Sequence, residues 1–109
     1  MTKKQIENIA KQNGIDITLV SIIKCSGTWR FEMADLPADL AKKNIAYFYE
    51  NNDQLPEVLA MIKKYNRQVK KLLKALGVKH WGFKTGYGAW DYQLGAMSES
   101  TKMAFANID

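Results

Sequence analysis

Apolar and polar residues follow two different rhythms along this chain, and the switches between them mark its elements. Thr2 followed three residues later by Gln5 reads as a capping box, and Ile6, Ile9 and Ala10 form a narrow apolar stripe that ends at Asn13-Gly14. This predicts a first helix over about Thr2–Gln12. The next run, Ile15 to Lys24, is rich in β-branched residues, and Thr28-Trp-Arg-Phe-Glu-Met33 alternates strictly. Ser26-Gly27 between the two runs signals a hairpin, and the break in alternation near Leu19-Val20 predicts a bulge there.

Helical spacing returns after Asp35-Leu36-Pro37, with proline in the first turn, where its missing N–H costs nothing. Leu40, Ala41, Ile45, Phe48 and Tyr49 line one face of this second helix, and Asn51-Asn52-Asp53 ends it. A third helix runs from about Pro56 to Leu76 and stops at Gly77. Its apolar positions Val58, Ile62, Tyr65, Val69, Leu72 and Leu76 alternate spacings of four and three. Such a seam packs across a sheet or a neighbouring helix more readily than it self-associates, since three heptads are marginal for a free coiled coil.

Strand character resumes at His80-Trp-Gly-Phe83 and again over Gly88–Leu94, with Lys84-Thr-Gly-Tyr-Gly88 as a turn between them. The second segment resembles Gly27–Met33 in its glycine, tryptophan and following aromatic, a likeness that any half-buried aromatic strand after a glycine turn shares. Ser98–Asn107 reads as a short terminal helix capped by Ser98, with Met103 and Phe105 docking. The sum is an α+β fold in one domain, residues 1–109: a small antiparallel sheet from two hairpin-like segments, packed against two or three helices. The helices beginning at Pro37 and Pro56 are expected to cover one face of the sheet.

Composition sharpens this picture at two points. One cysteine, Cys25, excludes an internal disulfide framework and suits a reducing compartment. The longest mostly apolar stretch, Ile17–Ile23, falls far short of the ~20 residues that cross a bilayer. With no secretory pattern at the start, a cytoplasmic setting without membrane contact is expected.

Charge is the more telling quantity because it is uneven. Lys63, Lys64, Arg67, Lys70, Lys71, Lys74, Lys79 and Lys84 lie between Val58 and Trp90, a span with no acidic residue, so this segment carries +8. The rest of the chain has 8 basic and 11 acidic residues, hence −3, which recovers the overall +5. At about 100° per residue, Lys63, Arg67, Lys70 and Lys74 fall within about sixty degrees of one another, flanked by Lys64 and Lys71 and opposite the apolar seam. Like charges without carboxylates at i±4 repel unless a partner neutralises them. These eight residues are therefore the candidate binding site, for nucleic acid or for an acidic protein surface. Trp81 or Tyr87 near the stripe could stack on bases.

Other chemistry assembles poorly. Cys25 and His80 would be the only thiol–imidazole pair, and one Cys with one His cannot fill a tetrahedral metal site. Gly77-Val-Lys-His-Trp-Gly-Phe-Lys84-Thr85 misses the phosphate-loop spacing by the extra Phe83 and follows a helix rather than a strand. Asp35 and Asp39 suit the helix N-terminal dipole. No acid, base and oxyanion site come together, so neither enzymatic activity nor a cofactor is expected.

Asn8 to Lys24 also resembles a bacterial repressor helix-turn-helix, with Ala10, Gly14, Ile15, Val20 and Ser21 at its small, turn, apolar and polar positions and Asp16 as a cap. Asn13 stands where that motif places an apolar residue, and Ile17 and Ile22 would face DNA. The hairpin is the rival reading of the same residues, and the alternation of Thr28–Met33 favours it. The function expected is a small non-catalytic regulator that binds nucleic acid through the basic helix. The alternative is an inhibitor or adaptor that docks on an acidic surface of a larger target, through the same face or the aromatic sheet face.

Overall fold

The computed structural model describes residues 1–25, 27–78, 81–85, 90–91, 96–97, 102–106 and 108. Helix α1 spans Lys3–Gln12, and its start is the capping box expected: Gln5 N–H donates to the Thr2 hydroxyl and Thr2 N–H to Gln5 Oε1. Its end is a Schellman motif. Gly14 sits at φ 69° and donates to Lys11 C=O, while Ile15 N–H reaches back to Ala10 C=O. The motif places Ile15 over Ala10, and both side chains enter the core.

Strands β1 (Val20–Cys25) and β2 (Thr28–Met33) form the expected antiparallel hairpin, in continuous register from Val20 opposite Met33 to Cys25 opposite Thr28. Gly27 adopts φ 83° in the turn, a conformation that requires no Cβ clash only for glycine. The register leaves no room for a helix over residues 17–24, so the helix-turn-helix reading is overturned. The expected bulge near Leu19-Val20 is also absent. The chain instead turns at Asp16, which takes Leu19 N–H on its carbonyl, and the strand starts only at Val20.

Helices α2 (Ala38–Asn51) and α3 (Pro56–Ala75) follow, then β3 (Trp81–Thr85), β4 (Trp90–Asp91), β5 (Ala96–Met97) and β6 (Lys102–Ala106). The expected terminal helix is a strand. β6 lies between β2 and β3, antiparallel to both, in a four-stranded sheet of order β1-β2-β6-β3, and β4 pairs with β5 apart from it. The second segment is therefore not a hairpin of β3 on β4. Lys102-Met-Ala-Phe-Ala106 alternates as well as it spaces helically, and two open strand edges on either side supply more backbone partners than a lone terminal turn could.

One sheet face is buried. Val20 and Ile22 of β1, Trp29, Phe31 and Met33 of β2, and Ala106 of β6 meet Ile6 and Ala10 of α1 and Val58, Ile62, Tyr65, Val69, Leu72 and Leu73 of α3. The seam of α3 thus packs inward as expected. α1 supplies the other helix with apolar side chains fully in this core, while α2, the expected one, adds Leu40 and Ala41 at its margin. The buried residue of α2 is Asn44, whose Oδ1 accepts Leu55 N–H at 2.9 Å and so satisfies the residue that caps α3. Asn52, at φ 53°, closes α2 in a left-handed conformation that asparagine tolerates.

Tyr65 ties α3 to the sheet through its hydroxyl, which donates to Phe31 C=O at 3.1 Å. Burial, and secondarily the Glu32 carboxylate, holds its phenol well above the ordinary tyrosine range. A raised folded pKa contributes stability that is complete below the unfolded value near pH 10 and is lost as pH rises towards the folded value. Tyr65→Phe should cost about 1 kcal/mol at pH 7 through the lost hydrogen bond. Its stability should then fall less steeply than wild type above about pH 10. Urea melts of both proteins at pH 7 and in the alkaline range measure this, and parallel losses in the two would contradict it.

Candidate functional site: the basic face of α3

Helix α3 is 20 residues long, or about 30 Å at 1.5 Å per residue. Pro56 sits in its first turn with Glu57, and Lys74 in its last, both charges favourable to the helix dipole. The C-terminus closes on Gly77 at φ 68°, with Gly77 N–H on Lys74 C=O and Val78 N–H on Leu73 C=O. Its buried side chains hold the helix against the sheet, so its opposite face is turned to solvent.

That opposite face carries the predicted cations. Lys63, Lys64, Arg67, Lys70, Lys71 and Lys74 are all exposed, while Val58, Ile62, Tyr65, Val69 and Leu72 are buried. Six of the eight predicted residues are thereby brought onto one surface. Lys84 lies in β3, its backbone opposite Met103. Lys79, along with His80 and Tyr87, lies outside the described residues, as does most of Gly88–Leu94.

Lys64 differs from the other five. Its Nζ lies 3.5 Å from Asp16 Oδ2. Asp16 also donates its backbone N–H to Gln68 Oε1 at 2.9 Å, so the connection between α1 and β1 is fastened to the flank of α3 at two adjacent turns. The Thr18 hydroxyl, then the Thr18 amide, and more weakly Lys64, hold the Asp16 carboxyl below the usual aspartate range against a small cost of burial. Lys64 is thus partly neutralised by a residue remote in sequence, a partner that helical spacing could not reveal. Among the described residues, Lys63, Arg67, Lys70, Lys71 and Lys74 have no carboxylate within ion-pair distance.

The opposite face of β2 carries Thr28, Arg30 and Glu32, all half-buried, with Arg30 and Glu32 paired at 3.4 Å. Of the aromatic sheet residues considered for docking, Trp29 and Phe31 are buried in the core. Lys24 caps the outer end of this core, its Nζ 5.6 Å from the centre of the Trp29 ring. A small cleft of about 160 Å³ between the start of α1 and β1 is lined by Lys3, Glu7, Ile17, Val20, Ser21 and Ile22. Its lining offers one hydroxyl and two opposite charges, with no imidazole to activate the serine. No group of three metal-ligating side chains occurs among the described residues, and none of the described helices is long and apolar enough to cross a membrane.

No protein-family model matches this chain, and comparison with curated proteins and with solved structures finds no match.

Proposed function

We propose that this protein is a non-catalytic nucleic-acid-binding regulator that works through the exposed face of α3. The observation that supports this reading is the separation of charge on one helix: five cations without carboxylate partners among the described residues, opposite the buried Val58, Ile62, Tyr65, Val69 and Leu72. Holding such a row together costs self-repulsion in the free protein. A polyanion relieves it and releases condensed counterions, so phosphate backbones are the natural complement. The reading places the protein in the cytoplasm, with nucleic acid as its partner.

Replacing Lys63, Lys70 and Lys74 together by glutamine tests it. Each lost cation should remove about 0.9 from the log–log salt slope, so the slope should flatten by about 2.7 on duplex DNA. Each substitution should change stability by less than ~0.5 kcal/mol, because the side chains are solvated. Mobility-shift titrations at two salt concentrations, beside thermal melts, provide both readouts. If wild type binds neither DNA nor RNA even at low salt, the proposal fails and docking on an acidic protein surface takes its place. Binding that the triple variant matches would exclude this face.

A further inference from the structure

We infer that the α3 face engages the phosphate ridge of a nucleic-acid duplex along a single line and does not enter a groove to read bases; this rests on the nucleic-acid reading above. The chemistry of the exposed residues supports it. From Ala60 to the end of α3 the exposed positions are Ala60, Lys63, Lys64, Arg67, Lys70, Lys71, Lys74 and Ala75, which is to say alanines and cations only. Adenine is read by amides and cytosine by carboxylates, and this face has neither; its arginine and lysines match guanine alone, so it cannot read a mixed sequence. The helix does contain amides, but they are elsewhere. Gln68 receives the Asp16 N–H, and Asn66 is half-buried.

Among the described residues of α3, the same surface offers a single strand no platform for its bases. Proteins that hold unpaired strands stack bases on aromatic rings. The aromatic residue of α3, Tyr65, is fully buried with its hydroxyl committed to Phe31 C=O. A duplex needs no stacking platform, since its charges are already displayed on the outside.

The spacing also fits. Lys63, Arg67, Lys70 and Lys74 recur once per turn over about 16 Å of helix. The phosphates of one strand rise about 3.4 Å each while winding about the axis, so a straight row of this length lies along one side of the ridge and meets the few phosphates that face it. Five cations are free of Asp16: Lys63, Arg67, Lys70, Lys71 and Lys74. Here the centre of the exposed face is itself the cationic row.

Fluorescence anisotropy on the full chain tests this, with two DNA duplexes of unrelated sequence, an RNA duplex and a single strand of equal length, each over a series of salt concentrations. Expected are affinities for the two DNA sequences that agree within about twofold, since even one base-specific contact would separate them by more. Duplexes should be bound more tightly than the single strand, and the DNA slope should be no steeper than about −4.5, the limit of about 0.9 for each of five cations. Lys70→Gln should reduce that slope by about 0.9, and Lys64→Gln by less than half as much, because Asp16 already partners Lys64. More than tenfold discrimination between DNA sequences, or tighter binding of the single strand, overturns the inference while the nucleic-acid reading stands. Equal slope changes for the two variants overturn the assignment of Lys64 to the fold. Absence of binding to every probe at low salt removes both proposals together.

Discussion

Deleting residues 102–109 is expected to abolish cooperative folding altogether. The segment holds β6, one of the two interior strands of the four-stranded sheet. β6 pairs with β2 through Trp29–Ala106, Arg30–Phe105 and Phe31–Ala104, and with β3 from Trp81–Ala106 to Thr85–Lys102. Without it, β2 keeps only its hairpin partner and β3 has no partner in this sheet. A two-stranded hairpin is marginally stable at best in water. The loss also opens the core beside Trp29, where Ala106 is 2% exposed. Circular dichroism should show no sigmoidal thermal transition, and proton NMR should show collapsed amide dispersion. Phe105→Pro should reproduce much of the defect, because proline in an interior strand removes a ladder hydrogen bond. A truncated chain that melts sharply at the wild-type temperature would refute the sheet order.

Trp29→Ala should be the most damaging single truncation of a side chain. Trp29 is 4% exposed and belongs to the core that α1 and α3 help to close, on the same face of β2 as Phe31 and Met33. Removing a buried aromatic costs about 3 to 5 kcal/mol, transfer and cavity contributions together. The whole domain has about 5 to 15 kcal/mol to lose. A fall in melting temperature of more than about 12 °C is expected, at about 4 °C or more per kcal/mol for a chain of this size. Trp29→Phe should recover most of it, since it refills most of the volume. Lys24→Gln removes the ammonium over the ring and should cost at most about 1 kcal/mol. If Trp29→Ala left the midpoint unchanged, the tryptophan would not be part of the core.

The contrast between these variants and the lysine substitutions separates fold from function. Trp29 and β6 act on whether α3 has a platform to lie on, and the lysines act on what its outer face attracts. A triple glutamine variant that binds weakly yet melts normally is the combination expected if the two roles are carried by opposite sides of one helix.

Local rules were sufficient wherever an element's identity depends on neighbours within one turn. Thr2 and Gln5 start α1 because a hydroxyl and an amide three residues apart satisfy orphan N–H groups reciprocally, whatever lies around them. Gly14, Gly27 and Gly77 take positive φ at the turns where the sequence places them, because glycine alone does so without a steric penalty. The seam of α3 and the alternation of β2 each announce a buried face, and the same periodicity puts the lysines on the other side. The basic face was therefore legible without coordinates, as a consequence of the 3.6-residue repeat.

Tertiary structure decided what local patterns leave degenerate. Lys102–Ala106 fits a helix or a strand equally, and only two unpaired neighbouring strands make it a strand. Asn44 interrupts an otherwise apolar face of α2, a visible signal whose meaning comes from Leu55 N–H arriving opposite it. Ile15–Leu19 has strand-like composition but becomes a turn, because Asp16 is held against α3 by Gln68 and Lys64. That last contact also sorts the cations, separating the one that fastens the α1–β1 connection from the five that remain for a partner. Each of these outcomes depends on groups distant in sequence meeting in space, and spacing along the chain carries no record of such meetings.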